Sequence, residues 1–471
     1  MRYSTQVPPR GSRIPAALAA LSALAGGAGA AQANGRLPSV ATVFPGPETP
    51  TVLDLGATFG LVSTLDDGAS WRWVCEMSIG YIGTLDPTFL RVTNGTLLAS
   101  TFQGLTRSLD GGCTFDPVPD VGDLFVRGLV ENQAVPGTVY VVTGGGGAPT
   151  GTPAFYVSTD GGMTFAPTTL TSTDVYYDGI GLTAADPMRV YVGGWRDLAT
   201  GLFVYRSDDG GATWTEFPKT GPDSSRLRVV GVSDVDPDVL FWLHDAPTDT
   251  IYRSDDGGLT ETAVLNTPGT VTAFAVGTGG VAYAATSYGD LQRSDDGGLS
   301  FAPVVGTPPP YCIATSGSRV YICANPFVGN FAVGYSDDLG ADWTGLLYLA
   351  DIDGPVVCPA GTPTHDLCEP AWPALEKFLN ALDGVDGGAP GTDAGTGTGA
   401  DAGVDAGTGK DGHGGCHCAV AGAGRARGAA GARGAGAVAL AALAAAAALR
   451  WRRRHGHPEG RAVEATCGET R

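Results

Sequence analysis

Seven aspartates recur in one local frame along this chain. Carboxylates in such a pattern could hold a cation, work as an acid–base pair, or simply fasten a turn. The frame reads Ser/Thr-x-Asp-x-Gly-x-Thr-aromatic, as in "SDDGGATW" from Ser207 to Trp214, and its aspartates are Asp66, Asp110, Asp160, Asp209, Asp256, Asp296 and Asp338. The aspartate can accept hydrogen bonds from backbone N–H groups of its own turn. The fifth-position glycine permits φ > 0, and the closing aromatic can bury its ring against a neighbouring strand. That combination favours structural punctuation over a metal loop. Two copies depart from it: Glu261 replaces the aromatic in the fifth and Asp342 replaces the threonine in the seventh. Those corners are expected to pack less well.

Other chemistry is sparse. His244 is the only histidine in the repeat region, which excludes a multi-histidine metal site there and leaves any Ser-His-Asp triad to that one residue; within "FWLHD" it reads as a strand-end cap. The glycines at 144–147 lack the lysine of a phosphate loop and precede no helix. Asn94-Gly95 matches a glycosylation sequon but lies between two strand-like runs and reads as a hairpin turn. Asp178, Asp234, Asp236 and Asp245 could supply the facing carboxylates of a glycoside hydrolase, yet carboxylates are abundant in this chain and solvated ones are the commoner kind. No cofactor and no metal is implied.

The elements that must carry these residues follow from the spacing. Successive frame aspartates lie 44, 50, 49, 47, 40 and 42 residues apart, the period of a four-stranded propeller blade. Before each frame stands a β-branched and aromatic run such as "GLFVY" or "AFYVS". Ahead of it comes another, such as "TVYVVTG" at 138 or "RVYICAN" at 319. Earlier still is a third, closed by Asp-Pro at Asp86, Asp186 or Asp236, and a fourth begins at the frame aromatic. The expected fold is all-β: a seven-bladed β-propeller of four-stranded antiparallel blades over residues 38–350. Its ligand face would be built by the turns entering each blade and those between second and third strands, around Tyr176, Tyr177, Asp178, Trp195 and Arg196.

The frame resembles the Asp-box, or bacterial neuraminidase repeat, in seven copies over residues 38–350. The resemblance implies a propeller whose boxes cap the hairpin between third and fourth strands, away from the central channel. The family includes sialidases, which need an Arg-Ile-Pro motif before the first blade and arginines that clamp a carboxylate. Here "SRIP" at Ser12 to Pro15 falls in an export signal, and nothing in the sequence alone makes Arg91, Arg127, Arg196 and Arg228 converge. Xyloglucan hydrolases with such boxes resemble a pair of propellers, whereas this chain holds one.

Charge and cysteine place the domain. Residues 1–33 carry +3 and residues 416–471 carry +6, which leaves −29 for the middle of a chain whose total is −20. So acidic a body repels phosphate backbones, and nucleic acid is excluded as a partner class. Arg2, Arg10 and Arg13 precede the apolar "AALAALSALAGGAGA" and the small-residue "AQA", a secretory signal peptide over residues 1–33. Export implies an oxidising compartment, so Cys75, Cys113, Cys312, Cys323, Cys358 and Cys368 are disulfide candidates. By position, Cys312 with Cys323 and Cys75 with Cys113 are the expected pairs. Cys358 and Cys368 would close a small extension over 351–383, beside a short helical run "PALEKFLNAL".

Residues 384–415 hold almost no bulky side chain and read as a flexible acidic linker. The end then shows Cys416 and Cys418, a thin apolar stretch from Gly434 to Leu449, and "RWRRRHG". This order resembles the myxobacterial C-terminal sorting signal. It implies a Cys motif, transmembrane segment and Arg cluster over 416–455, a cytoplasmic tail over 456–471, and retention at the cell surface by a membrane anchor or release after processing. The function that fits is an exported, surface-anchored, monomeric binding or scaffolding module for an extracellular glycan or protein. The alternative is a sialidase-like or carboxylate-pair glycoside hydrolase acting on extracellular polysaccharide.

Overall fold

The computed structural model describes residues 37–383, apart from short loops at 47–50, 82–85, 102–103, 122–123, 145–151, 197–200, 222–225, 246–247 and 327–330. The signal peptide (1–33), linker (384–415), Cys416 and Cys418, apolar stretch and tail lie outside the described residues. Among the described residues no helix is long and apolar enough to cross a membrane.

Twenty-eight strands form seven four-stranded antiparallel sheets, each taken from consecutive sequence. Blade 1 runs from strand Val40–Pro45 to strand Arg72–Cys75, and blade 2 from Thr88–Arg91 to Asp116–Pro117. Blade 3 follows from Val126–Glu131 to Ala166–Thr171, and blade 4 from Val175–Leu182 to Thr215–Lys219. Blades 5, 6 and 7 begin at Arg226–Val232, Val271–Val276 and Pro310–Ser316 and end at Thr262–Asn266, Ala302–Pro303 and Thr344–Leu347. First strands of successive blades pack on one another around the axis, and those of blades 7 and 1 meet to complete the ring. Second strands are the most buried, for instance Leu53–Ala57, Val139–Thr143 and Ala282–Thr286, because each is covered on both faces by neighbouring blades.

The frame lies in the hairpin between third and fourth strands of every blade. In all seven copies the first-position hydroxyl donates to the aspartate Oδ1 at 2.7–2.8 Å and accepts the fifth-position N–H at 2.7–3.0 Å. The seventh-position N–H donates to the same Oδ1 at 2.8–3.0 Å. The seven carboxylates therefore serve seven separate turns. Gly211 has φ +96°, and a Cβ there would lie 2.9 Å from the Phe155 ring of the preceding blade; Gly68 makes the same approach to Leu346 of blade 7 across the closure. Trp214 fills its corner edge-on to Phe155 at 4.9 Å.

At the fifth frame the expected loose corner is instead occupied. Lys219 reaches from blade 4, donates to the carbonyls of Gly258 and Leu259 and lies 5.4 Å above the Trp242 ring, beside the half-buried Glu261 that stands in the aromatic position. The Asp-Pro reading also needs one correction. Asp186-Pro and Asp236-Pro sit between first and second strands, but Asp86-Pro87 leads into the first strand of blade 2, whose turn is made by Asn94-Gly95.

All six cysteines among the described residues are paired, yet two of the expected partnerships are wrong. Cys312–Cys323 joins adjacent strands of blade 7 as expected, whereas Cys75 pairs with Cys368 and Cys113 with Cys358. The reason is ring closure: it returns the chain after blade 7 to blades 1 and 2. Residues 353–356 run parallel along the outer strand of blade 1, with Trp73 N donating to Gly354 O and Val356 N to Trp73 O, both at 2.9 Å. Helix Pro363–Asp383 then packs a stripe of Thr364, Cys368, Leu375 and Leu379 onto the same blade, with Trp372 5.7 Å from Trp73. It starts ten residues before the expected run because Pro370 and Pro373 are carried inside it. The blades share no strand across the closure, so this extension is the strap that covers it.

Candidate functional site

Antiparallel order puts the starts of first strands and the ends of second strands at one mouth of the channel, opposite the frame turns. On blades 3 to 5 this mouth gathers charge. Arg127 comes from strand Val126–Glu131, Tyr176 and Asp178 from Val175–Leu182, and Arg226 and Arg228 from Arg226–Val232. Trp195 and Asp245 end the second strands Val190–Arg196 and Leu240–Asp245. Along the first strand of blade 5, exposed Arg226 and Arg228 alternate with buried Leu227 and Val229, the period-2 pattern of a strand with one face packed.

Close approach of two blades creates the cluster. Gly179 bulges out of the ladder between Asp178 and Ile180 at φ +76°, and a Cβ there would lie 2.1 Å from Val229 O and 3.0 Å from the Arg228 Cγ. Asp178 is thereby set among arginines of both neighbouring blades. Its carboxylate is 15% exposed and pairs with Arg127 at 3.3 Å. Burial raises its pKa above the ordinary range, with Arg127, Arg228 and Arg226 opposing and Asp245 reinforcing the rise. Asp249, also buried, accepts Val271 N at 2.7 Å, and its carboxyl is likewise raised by burial. Arg226 and Arg228 are exposed and carry no ion pair among the described residues, although Arg226 lies 5.7 Å above Trp195.

The five residues expected on the ligand face divide. Tyr176 stacks on Trp195 at 5.7 Å and 17°, and Asp178 stands beside them. Trp195 itself is 6% exposed, covered by Tyr176 and the Arg127 and Arg226 guanidiniums, so it offers a ligand only its edge. Tyr177 points the other way, 1% exposed and edge-on to Tyr205 at 5.6 Å. Arg196 ends its strand at the mouth but is engaged there: it pairs with Asp174 and Glu216 and covers Phe203 at 4.2 Å. Of the other arginines weighed, Arg91 forms a two-pronged pair with the buried Asp54 at 2.7 and 2.9 Å and is used up there. Asp234 accepts the Gly279 and Gly280 N–H groups and Asp236 caps its own turn, leaving Asp178 and Asp245 at the mouth. Arg226 and Asp249 escaped the sequence reading. The Arg-x-Arg alternation was the available signal for the first, and none existed for the second.

His244 does not cap a strand end. It lies inside its strand, 1% exposed, 4.4 Å from the Tyr252 ring, and burial with the Lys219 charge lowers its pKa to about 4. It is a neutral core residue. Among the described residues no group of three His, Cys, Asp or Glu is arranged to hold a metal ion.

No family model matches the chain, and no curated protein sequence matches it. Solved structures do. An ancestral GH74 enzyme is 16% identical with a TM-score of 0.50 over 66% of this chain and 47% of that one. The GH74 xyloglucanase from Xanthomonas campestris is 16% identical, TM-score 0.45, over 65% of this chain and 60% of that one. YCF48 from Cyanidioschyzon merolae is 16% identical, TM-score 0.44, over 60% of this chain and 92% of that one. The chain thus spans only part of the length of the GH74 enzymes. The likeness is one of fold, and the class it defines with the seven sheets is the seven-bladed β-propeller.

Proposed function

We propose that this is an exported Asp-box propeller, held at the cell surface by its C-terminal sorting segment, that binds an anionic extracellular ligand at the channel mouth of blades 3 to 5. The observation that carries this reading is the pair Arg226 and Arg228: two exposed guanidiniums that close no ion pair among the described residues, although both bear on Asp178, on a body whose formal charge is −29. Surplus carboxylates would ordinarily pair such arginines. Leaving them open suits a carboxylate or sulfate on an acidic glycan, with Tyr176 and the Trp195 edge beside it. A glycan array with residues 34–383 tests this. Uronate or sulfate glycans should bind, binding should weaken with salt, and Arg226→Ala with Arg228→Ala should abolish it. Equal retention of neutral glycans by that double variant would refute the reading.

A second reading, glycoside hydrolysis, rests on two buried carboxyls at the same mouth, Asp178 and Asp249, both raised by burial, the direction that suits a leaving-group acid. Turnover of any member of a fluorogenic glycoside panel, lost on Asp178→Asn, would establish it over binding alone.

A further inference from the structure

The frame turn of blade 7 borders a pocket. It runs along the outer, fourth strand of blade 7, with a volume of about 370 Å³, and is lined by Gly306, Pro308, Phe331, Asp342, Trp343 and Tyr348, with Ala341 and Gly345. That volume is within the roughly 300–1,000 Å³ of ligand sites.

Its origin is a cross-strand pair. At one ladder position of the third and fourth strands, successive blades place Val62 opposite Trp73, Thr106 opposite Pro117, Tyr156 opposite Pro167, Tyr205 opposite Glu216, Tyr252 opposite Ala263 and Gln292 opposite Pro303. In blade 7 the pair is Gly334 opposite Gly345. A ladder irregularity separates this pair from Val333 opposite Leu347, but the same irregularity in blade 5 leaves Tyr252 opposite Ala263, so it does not by itself call for glycine. Glycine within a strand weakens it, and is kept where another group must come close. Here the group is aromatic: a Cβ on Gly334 would lie 2.5 Å from the Phe331 ring, and one on Gly345 2.7 Å from the Tyr348 hydroxyl. Trp343, the frame aromatic, closes the third side and spends its indole N–H on Thr307 at 3.3 Å.

Asp342 gives the pocket its sign. In five other frames this position holds a Ser or Thr whose hydroxyl donates to the frame aspartate at 2.6 Å. An ionised Asp342 cannot donate. Its N–H still bonds Asp338 at 2.9 Å, so the turn is kept while its carboxylate lines the pocket. Three aromatic rings and one carboxylate, with no cation in the lining, on a chain of net charge −20, are complementary to a positive head group.

We propose that this pocket binds an organic cation, an ammonium or guanidinium on an alkyl stem, between the Trp343 and Tyr348 rings with Asp342 as counter-charge. The test is calorimetric titration of the purified chain with tetramethylammonium chloride, arginine amide and lysine amide against sodium chloride at equal ionic strength, with cellobiose as a neutral probe. At least one cation should bind saturably. Preference for the amides assigns the site to basic side chains, and preference for tetramethylammonium to a quaternary ligand. Asp342→Thr restores the hydroxyl of the other frames, so it should keep or raise the melting temperature while weakening the cation at least about tenfold, the worth of a charge-assisted contact. Gly345→Val should also abolish binding, and Arg226→Ala with Arg228→Ala should leave it unchanged. Saturable binding undiminished by Asp342→Thr, no saturation by any of the three cations, or equal binding of cellobiose would overturn the proposal.

Discussion

The strap across the ring closure makes the most quantitative prediction. Cys75–Cys368 and Cys113–Cys358 close loops of 293 and 245 residues, and each ties the C-terminal extension to an N-terminal blade. Removing either tie leaves the other, so the loop lost is only the short circuit between the cysteines. Loop-closure scaling gives that circuit about 4 kcal/mol, and gives about 5 kcal/mol more for the second tie, which alone closes the whole ring. With an unfolding entropy near 2 cal/mol/K per residue over roughly 350 residues, Cys113→Ser with Cys358→Ser should lower the melting temperature by about 5 °C, and loss of both ties by about 12 °C. The Cys312–Cys323 hairpin tie spans 11 residues and should cost about 3 kcal/mol whether or not the others are present. Differential scanning calorimetry of the three variants, with peptide mapping of the unreduced protein, checks this. A map joining Cys75 to Cys113, or ring-tie variants melting within about 1 °C of the parent, would show that the closure is not held as described.

Leu339 takes φ +63° at the fourth frame position, where five copies have glycine. Leu339→Gly should stabilise by about 0.5–1 kcal/mol in urea unfolding, the left-handed strain less the added chain entropy. The converse change, Gly211→Val, meets both positive φ and the Phe155 ring, and should cost at least about 3 kcal/mol. His244 has a folded pKa of about 4 against 6.5. The folded state therefore binds fewer protons between those values, and stability falls as pH drops through them. His244→Leu should remove that fall, gaining about 2 kcal/mol near pH 5 relative to pH 7, as read from urea midpoints. The frame carboxylates Asp160, Asp209 and Asp256, lowered to about 2 from 3.8 by the hydroxyl and N–H donors of their turns, with partial burial opposing, should add a second acid loss between about pH 4 and 2. Asp209→Asn should flatten part of it, and an unchanged acid profile in that variant would contradict the turn chemistry.

Local signals were enough to read the blades. The frame is a turn whose donors and acceptors all lie within eight residues, and the runs around it alternate with the period of a strand, so the seven sheets and the place of each hairpin are written in short stretches. The Asp186-Pro and Asn94-Gly95 turns were legible for the same reason. Long-range pairing was not. Six cysteines allow many partnerships, and only closure of the ring makes residues 353–368 neighbours of Trp73 and Gly112. The mouth depends on it equally, because Arg127, Asp178 and Arg228 are brought together by blades packed side by side.

What the sequence determined by itself is therefore the repeating unit: its strands, its turns and their number, because each unit satisfies its own backbone. What only the tertiary structure decided is which side chains are spent and which are left over. Arg196 and Arg91 are consumed by ion pairs, Tyr177 and His244 by burial, while Arg226, Arg228 and the exposed Asp342 stay open. The physical reason is that a side chain's availability depends on neighbours about 50 or 300 residues away in sequence, which a chain acquires only when its faces are buried against one another.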